Sequence, residues 1–176
     1  MLLLELGRLK HDAGFCLPLD MSAVCDPLAY EYKDMPLCAP LALRGTAENV
    51  AGEIQVTGEL TAAFNMICSR CGAAFPFALT TPFREIYSSR EVAPDEEGEL
   101  DKHIFGGVAI DLTPEALRAL FAELPMKPLC REDCLGLCPQ CGADLNRGQC
   151  SCATKETDPR WEKLRELFND EAGKGV

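Results

Sequence analysis

The sequence predicts an α+β fold, an antiparallel β-meander with two short helices and a cysteine-rich C-terminal module. Three observations carry this. Apolar and polar residues alternate with period two in three successive segments between residues 41 and 87. Helix-start signals come only later, at Thr113-Pro114-Glu115 and Asp158-Pro159. Six of the eleven cysteines fall within residues 130–152.

Met1-Leu2-Leu3-Leu4-Glu5-Leu6 reads as a strand, being too short in its apolar run and too poor in basic residues for a secretory leader. Residues 8–40 contain prolines and no clear period, so they receive no assignment. From Leu41 the alternation begins, with Leu41, Leu43 and Ala47 on one face and Arg44, Thr46 and Glu48 on the other. It is cleaner from Ile54 to Met66, where Ile54, Val56, Leu60, Ala62, Phe64 and Met66 share a face. Gly58 falls on that apolar side, which marks either a bulge or a close approach of another element. The third strand runs through Phe75, Phe77, Leu79 and Phe83 to Tyr87, and Pro76 and Pro82 restrict it to an edge or to broken pairing. Thr113 caps a short helix with Pro114 in its first turn, and Leu117, Leu120, Phe121 and Leu124 form its apolar stripe before Pro125. A second helix starts at Asp158-Pro159, with Trp161, Leu164, Leu167 and Phe168 on its apolar face. The expected division is a mainly β part over 1–125 and a metal-binding module with its helix over 126–176, packed as one unit.

Apolar residues at 47% and charged residues at 26% are those of a folded globular chain rather than a disordered one. No apolar run approaches the roughly 20 residues of a membrane span, so a soluble protein with no membrane partner is expected. The net charge is −11, and residues 91–125 hold nine acidic residues against Lys102 and Arg118. Extended contact with bare nucleic acid normally needs the opposite sign, because released phosphate counterions supply most non-specific affinity. A basic protein is the better-matched partner.

Eleven cysteines in a chain read as lacking a leader point to a reducing cytoplasm and to metal rather than disulfides. Cys138-Pro139-Gln140-Cys141-Gly142 has the form of a zinc knuckle, its glycine free to turn backbone N–H groups toward sulfur. Cys150 and Cys152, two apart, present both thiols on one face of an extended segment and complete a four-sulfur set with Cys138 and Cys141. Cys68-Ser69-Arg70-Cys71-Gly72 is a second knuckle between the second and third strands, for which Cys130 and Cys134 are the remaining ligands. One or two structural Zn²⁺ ions are therefore expected, closed to chemistry when all four ligands are sulfur. Cys16, Cys25 and Cys38 read as small buried hydrophobes, and His11 and His103, each alone in sequence, receive no catalytic role. No nucleophile triad, phosphate-binding loop or metalloprotease helix is present, so no enzyme is expected.

Cys68-x2-Cys71, Glu85-Ile86-Tyr87, Ile110-Asp111-Leu112, Leu124-Pro125, the run from Cys134 to Asn146 and Asp158-Pro159-Arg160 together resemble the YceD family, over about residues 40–168. The resemblance implies a role in accumulation of 23S ribosomal RNA and large-subunit assembly, and it brings no catalytic residues. It makes a ribosomal protein or precursor large-subunit particle the expected partner, with ribosomal RNA contacted indirectly. Two alternatives stay open: a zinc-knuckle protein touching ribosomal RNA through Arg70, Arg131 and Arg147, and a metal-dependent RNA-processing enzyme. Oligomeric state is not legible.

Overall fold

The computed structural model describes residues 1–24, 37–89 and 102–152. The helix expected from Asp158, the acidic run from Glu91 to Asp101 and Cys25 lie outside the described residues. By density of internal contacts the chain divides into two units, Met1–Glu132 and Asp133–Val176.

The first unit is mostly β. Its elements are β1 (Leu3–Glu5), a 3-10 turn (Gly7–Lys10), β2 (Cys16–Ala23), β3 (Leu41–Val50), β4 (Glu53–Ile67), β5 (Ala74–Ser88), β6 (Lys102–Ile104), β7 (Ala109–Asp111) and α1 (Thr113–Ala122). Strands β2, β3, β4 and β5 pair antiparallel in chain order; β3, β4 and β5 are the expected meander, and β2 is added to it. β6 then joins β5 in parallel, and β1 and β7 form a separate two-stranded sheet, neither of which the periodicity announced.

β2 occupies part of the stretch left unassigned. Leu17, Leu19, Met21 and Ala23 alternate with Pro18, Asp20 and Ser22, and Pro18 is tolerated because β2 is an edge strand with only β3 beside it. The same rule governs β5: Pro76 and Pro82 oppose Asn65 and Glu59 of β4, in the part of β5 that pairs on one side only. β3 and β4 are joined by Ala51 and Gly52, both with positive φ (55° and 93°), the backbone twist a two-residue hairpin requires.

Gly58 marks a close approach, not a bulge. It opposes Gly45 in an unbroken register, and a Cβ on either residue would fall inside van der Waals contact with the backbone of the facing strand, Arg44 O for Gly58 and Thr57 O for Gly45. Two glycines face each other because no side chain fits at that crossing.

The core collects Leu41, Leu43, Ile54, Val56, Leu60, Phe64 and Phe83 from the sheet and Leu117 and Leu120 from α1, all at most 2% exposed. Leu2, Leu4, Leu6 and Leu9 add the N-terminal segment to it. Phe121 of α1 stacks at a tilt on Phe64, 5.5 Å between centroids. Thr113 does not cap α1 as expected. It is the first helical residue, fully buried, and its hydroxyl accepts the Leu2 N–H (2.7 Å) and donates to Asp111 Oδ1, which also accepts the Thr113 N–H (3.0 Å). The threonine thus ties the start of the chain to the start of the helix, a long-range bond that local capping logic does not foresee.

Candidate metal centres

Each knuckle forms by the same local route. At Cys68 the amide N–H donates to Ala73 O (2.9 Å), Gly72 N–H donates to Cys68 O (2.9 Å), and Gly72 holds φ +71°. At Cys138 the amide N–H donates to Ala143 O (2.8 Å), Gly142 N–H donates to Cys138 O (2.9 Å), and Gly142 holds φ +72°. Glycine is favoured at both, since most side chains are strained at that φ. In the first unit Ser69 N–H donates to Pro128 O (2.8 Å) and Arg70 Nη1 to Glu132 O (3.2 Å), so the β4–β5 turn gathers residues 128–132 and with them Cys130.

The structure brings together both sets of four. The sulfurs of Cys68, Cys71, Cys130 and Cys134 all lie within 4.8 Å of one another, as do those of Cys138, Cys141, Cys150 and Cys152. None of these eight is in a disulfide. Either set could hold a metal ion.

The donors fit a divalent, thiophilic ion. Backbone N–H groups aim at sulfur: that of Cys130, then those of Cys71 and Arg70, draw the Cys68 thiol down to about 6, and those of Cys141 and Gln140 draw Cys138 down to about 6. Cys152 moves the other way, to about 12, because of its hydrogen bond with Cys141, its burial, and the nearby Cys138 thiolate. Four thiolates so close repel one another, and a bound cation is what lets all four ionise. Such a set could supply four sulfur ligands to one ion, the ligand number and type found in closed structural sites.

A residue that spacing did not single out supports these sulfurs. Asn146 Nδ2 donates to Cys134 Sγ (3.5 Å), its Oδ1 accepts the Leu135 N–H (2.9 Å), and Asp144 Oδ1 accepts from both its N–H (3.0 Å) and its Nδ2 (2.8 Å). Holding a ligand in this way orients it and moderates its charge. Asp-x-Asn just after a knuckle is the signal that could have found it. Of the three arginines in the RNA-contact alternative, Arg70 donates to Glu132 O, and Arg147 pairs with Asp144 (3.4 Å) with its side chain 88% exposed.

His103 is not isolated in the fold. Its Nε2 lies 2.9 Å from Glu85 Oε2, its Nδ1 lies 3.5 Å from Glu115 Oε1, and Arg118 Nη2 lies 3.3 Å from Nε2. Three elements, β5, β6 and α1, assemble this network, so sequence spacing could not show it. Cys16 and Cys38 are exposed rather than buried.

A β-sheet unit with a knuckle at one turn, followed by a second cysteine knuckle, defines a class of cysteine-tetrad proteins whose metal would serve structure. The chain belongs to the YceD family, described as large ribosomal RNA subunit accumulation proteins, whose model matches residues 56–168. It is 35% identical over 128 residues to an uncharacterized protein of Mycobacterium tuberculosis, covering 71% of this chain and 60% of that protein. It is 24% identical over 141 residues to the uncharacterized protein YlbN of Bacillus subtilis, covering 78% and 80%. It is also 24% identical over 191 residues to the chloroplastic large ribosomal RNA subunit accumulation protein YCED homolog 1 of Arabidopsis thaliana, covering 93% and 59%. The chain spans about three fifths of the length of the mycobacterial relatives it matches. No solved structure matches it significantly. No helix among the described residues is long and apolar enough to cross a membrane.

Proposed function

We propose that this chain is a non-catalytic, zinc-binding protein of the cytoplasm that supports accumulation of 23S ribosomal RNA and assembly of the large ribosomal subunit. Its partner is a basic ribosomal protein or a precursor particle, met through acidic surface. The observation that carries the reading is the pair of four-cysteine sets, the sulfurs of each within 4.8 Å of one another. Zinc suits them because it is borderline-soft, tetrahedral and free of redox chemistry. The family description supplies the ribosomal context. The acidic excess, −11 overall and concentrated in residues 91–125, favours a basic partner over bare RNA.

The test has two arms. Elemental analysis of the purified chain should find about two zinc ions per molecule, and a chain free of bound metal removes the structural premise. Capture from lysate at low salt should recover large-subunit proteins or precursor particles and weaken as salt rises, because screening shortens the reach of surface charge. Recovery that is unchanged by salt, or tight binding to naked ribosomal RNA, contradicts the charge argument.

A further inference from the structure

The two cysteine sets share a composition but not an exposure. In the first, Cys68 and Cys134 are 1% and 3% exposed, and Cys71 and Cys130 are half-buried. In the second, Cys138 is 7% exposed, Cys150 and Cys152 are half-buried, and Cys141 is exposed. An oxidant selects among thiolates by access, so Cys141 is the sulfur of the eight that it meets most readily.

The surroundings differ in the same sense. Cys68 directly follows β4, its turn holds residues 128 and 132 through Ser69 and Arg70, and Asn146 Nδ2 donates to Cys134 Sγ. The second set has no such frame: from Cys138 to Cys152 the only buried side chain is that of Cys138. Its thiols lie beside one another, Cys138 bonding to Cys150 and Cys152 to Cys141, and all four sulfurs are within 4.8 Å. A disulfide needs its sulfurs at about 2.05 Å, and a short segment without an apolar core can make that adjustment cheaply.

We propose that Cys141 is an oxidation site for a hydroperoxide, through which the second set closes a disulfide and gives up its metal while the first set stays loaded. The inference rests on the reading above that both sets hold zinc. In the first step the Cys141 thiolate attacks a peroxide oxygen. The S–O bond forms, the O–O bond breaks, sulfur is oxidised by two electrons, and the departing alkoxide or hydroxide takes a proton from water. A second thiolate of the set then attacks the sulfenic sulfur, forming the S–S bond and expelling hydroxide. Two thiolates remain, too few to close a tetrahedral site, and the segment loses the metal that folds it. A dithiol reductant returns the two electrons by exchange and regenerates the set.

The experiment uses the full metal-loaded chain with Cys16, Cys25 and Cys38 replaced by serine, which removes the thiols outside the two sets. Zinc is counted first, and hydrogen peroxide is then added with a chromogenic zinc indicator, dimedone to trap sulfenic acid, and disulfide mapping by mass spectrometry. One ion should leave at least about tenfold faster than the other, with dimedone on Cys141 and a disulfide that includes Cys141. Dithiothreitol with added zinc should restore two ions. Cys141→His keeps a ligand that zinc accepts and removes the reactive sulfur, so the variant should hold two ions and release the labile one about tenfold more slowly.

Earlier labelling of another cysteine, a disulfide without Cys141, or unchanged release from Cys141→His each overturns the proposal. If Cys141→His does not hold two ions, the labelling of the parent chain decides alone. Two ions that leave together remove this inference and spare the functional reading, whereas a parent chain found without zinc at the outset removes both.

Discussion

Replacing Cys138 with serine tests whether metal or packing shapes the segment from Asp133 to Cys152. Between those residues the only buried side chains are Cys134 and Cys138, while Leu135 and Leu137 are 65% and 45% exposed. Nothing there resembles an apolar core, so burial supplies little stability. A structural zinc site of this kind contributes on the order of 10 kcal/mol, and that binding energy is folding energy. Shared among four sulfurs, one ligand is worth roughly 2.5 kcal/mol, close to a 100-fold change in affinity. Cys138 should cost at least this much, because the Cys141 and Gln140 N–H groups already hold it as a thiolate near 6, which a serine hydroxyl cannot imitate. Cobalt reconstitution reads the result through sulfur-to-metal charge-transfer absorption, and competition with a chelator gives the affinity at each site. The variant should lose one of two ions, with amide protection lost over residues 138–152 and retained in β3, β4 and β5. A Cys138→Ser chain that keeps two ions with an unchanged competition curve would refute the idea that sulfur and metal organise this segment.

Three further outcomes follow from the same geometry. Gly58→Ala should destabilise the first unit by about 3 kcal/mol, seen as a lower urea midpoint, because its Cβ meets the backbone at Arg44 and Gly45 rather than a movable side chain. Acid should release metal: Cys68 and Cys138 fall from 9.0 in the unfolded chain to about 6 when folded, so their thiolate contribution is full above 9.0 and is lost as pH drops through about 6. A colorimetric zinc indicator should register little release at pH 7 and progressive release below about 6, and retention at pH 4 would contradict this. Asn146→Ala removes the donor to Cys134 Sγ and the acceptor for Leu135 N–H, and should weaken metal at that set about tenfold while two ions still bind at saturation.

The sequence by itself determined the three long strands, the first helix and the two groups of four cysteines. Each depends on a local period or a short spacing, and local backbone geometry converts these directly into structure. Gly72 and Gly142 illustrate this, since the residue that adopts their positive φ most freely stands where each knuckle needs it. Tertiary structure alone decided the rest. β2 was obscured by Pro18, which is acceptable only because β2 lies at an edge. The pairing of β1 with β7, and of Leu2 with Thr113, joins residues more than a hundred positions apart, and no local pattern encodes such a partner. The pairing of Gly45 with Gly58 resolved what Gly58 alone left open between a bulge and a close approach. The surroundings of His103 and Tyr87 have the same origin: β5, β6 and α1 converge on them, so charges scattered in sequence act together only once the chain has folded.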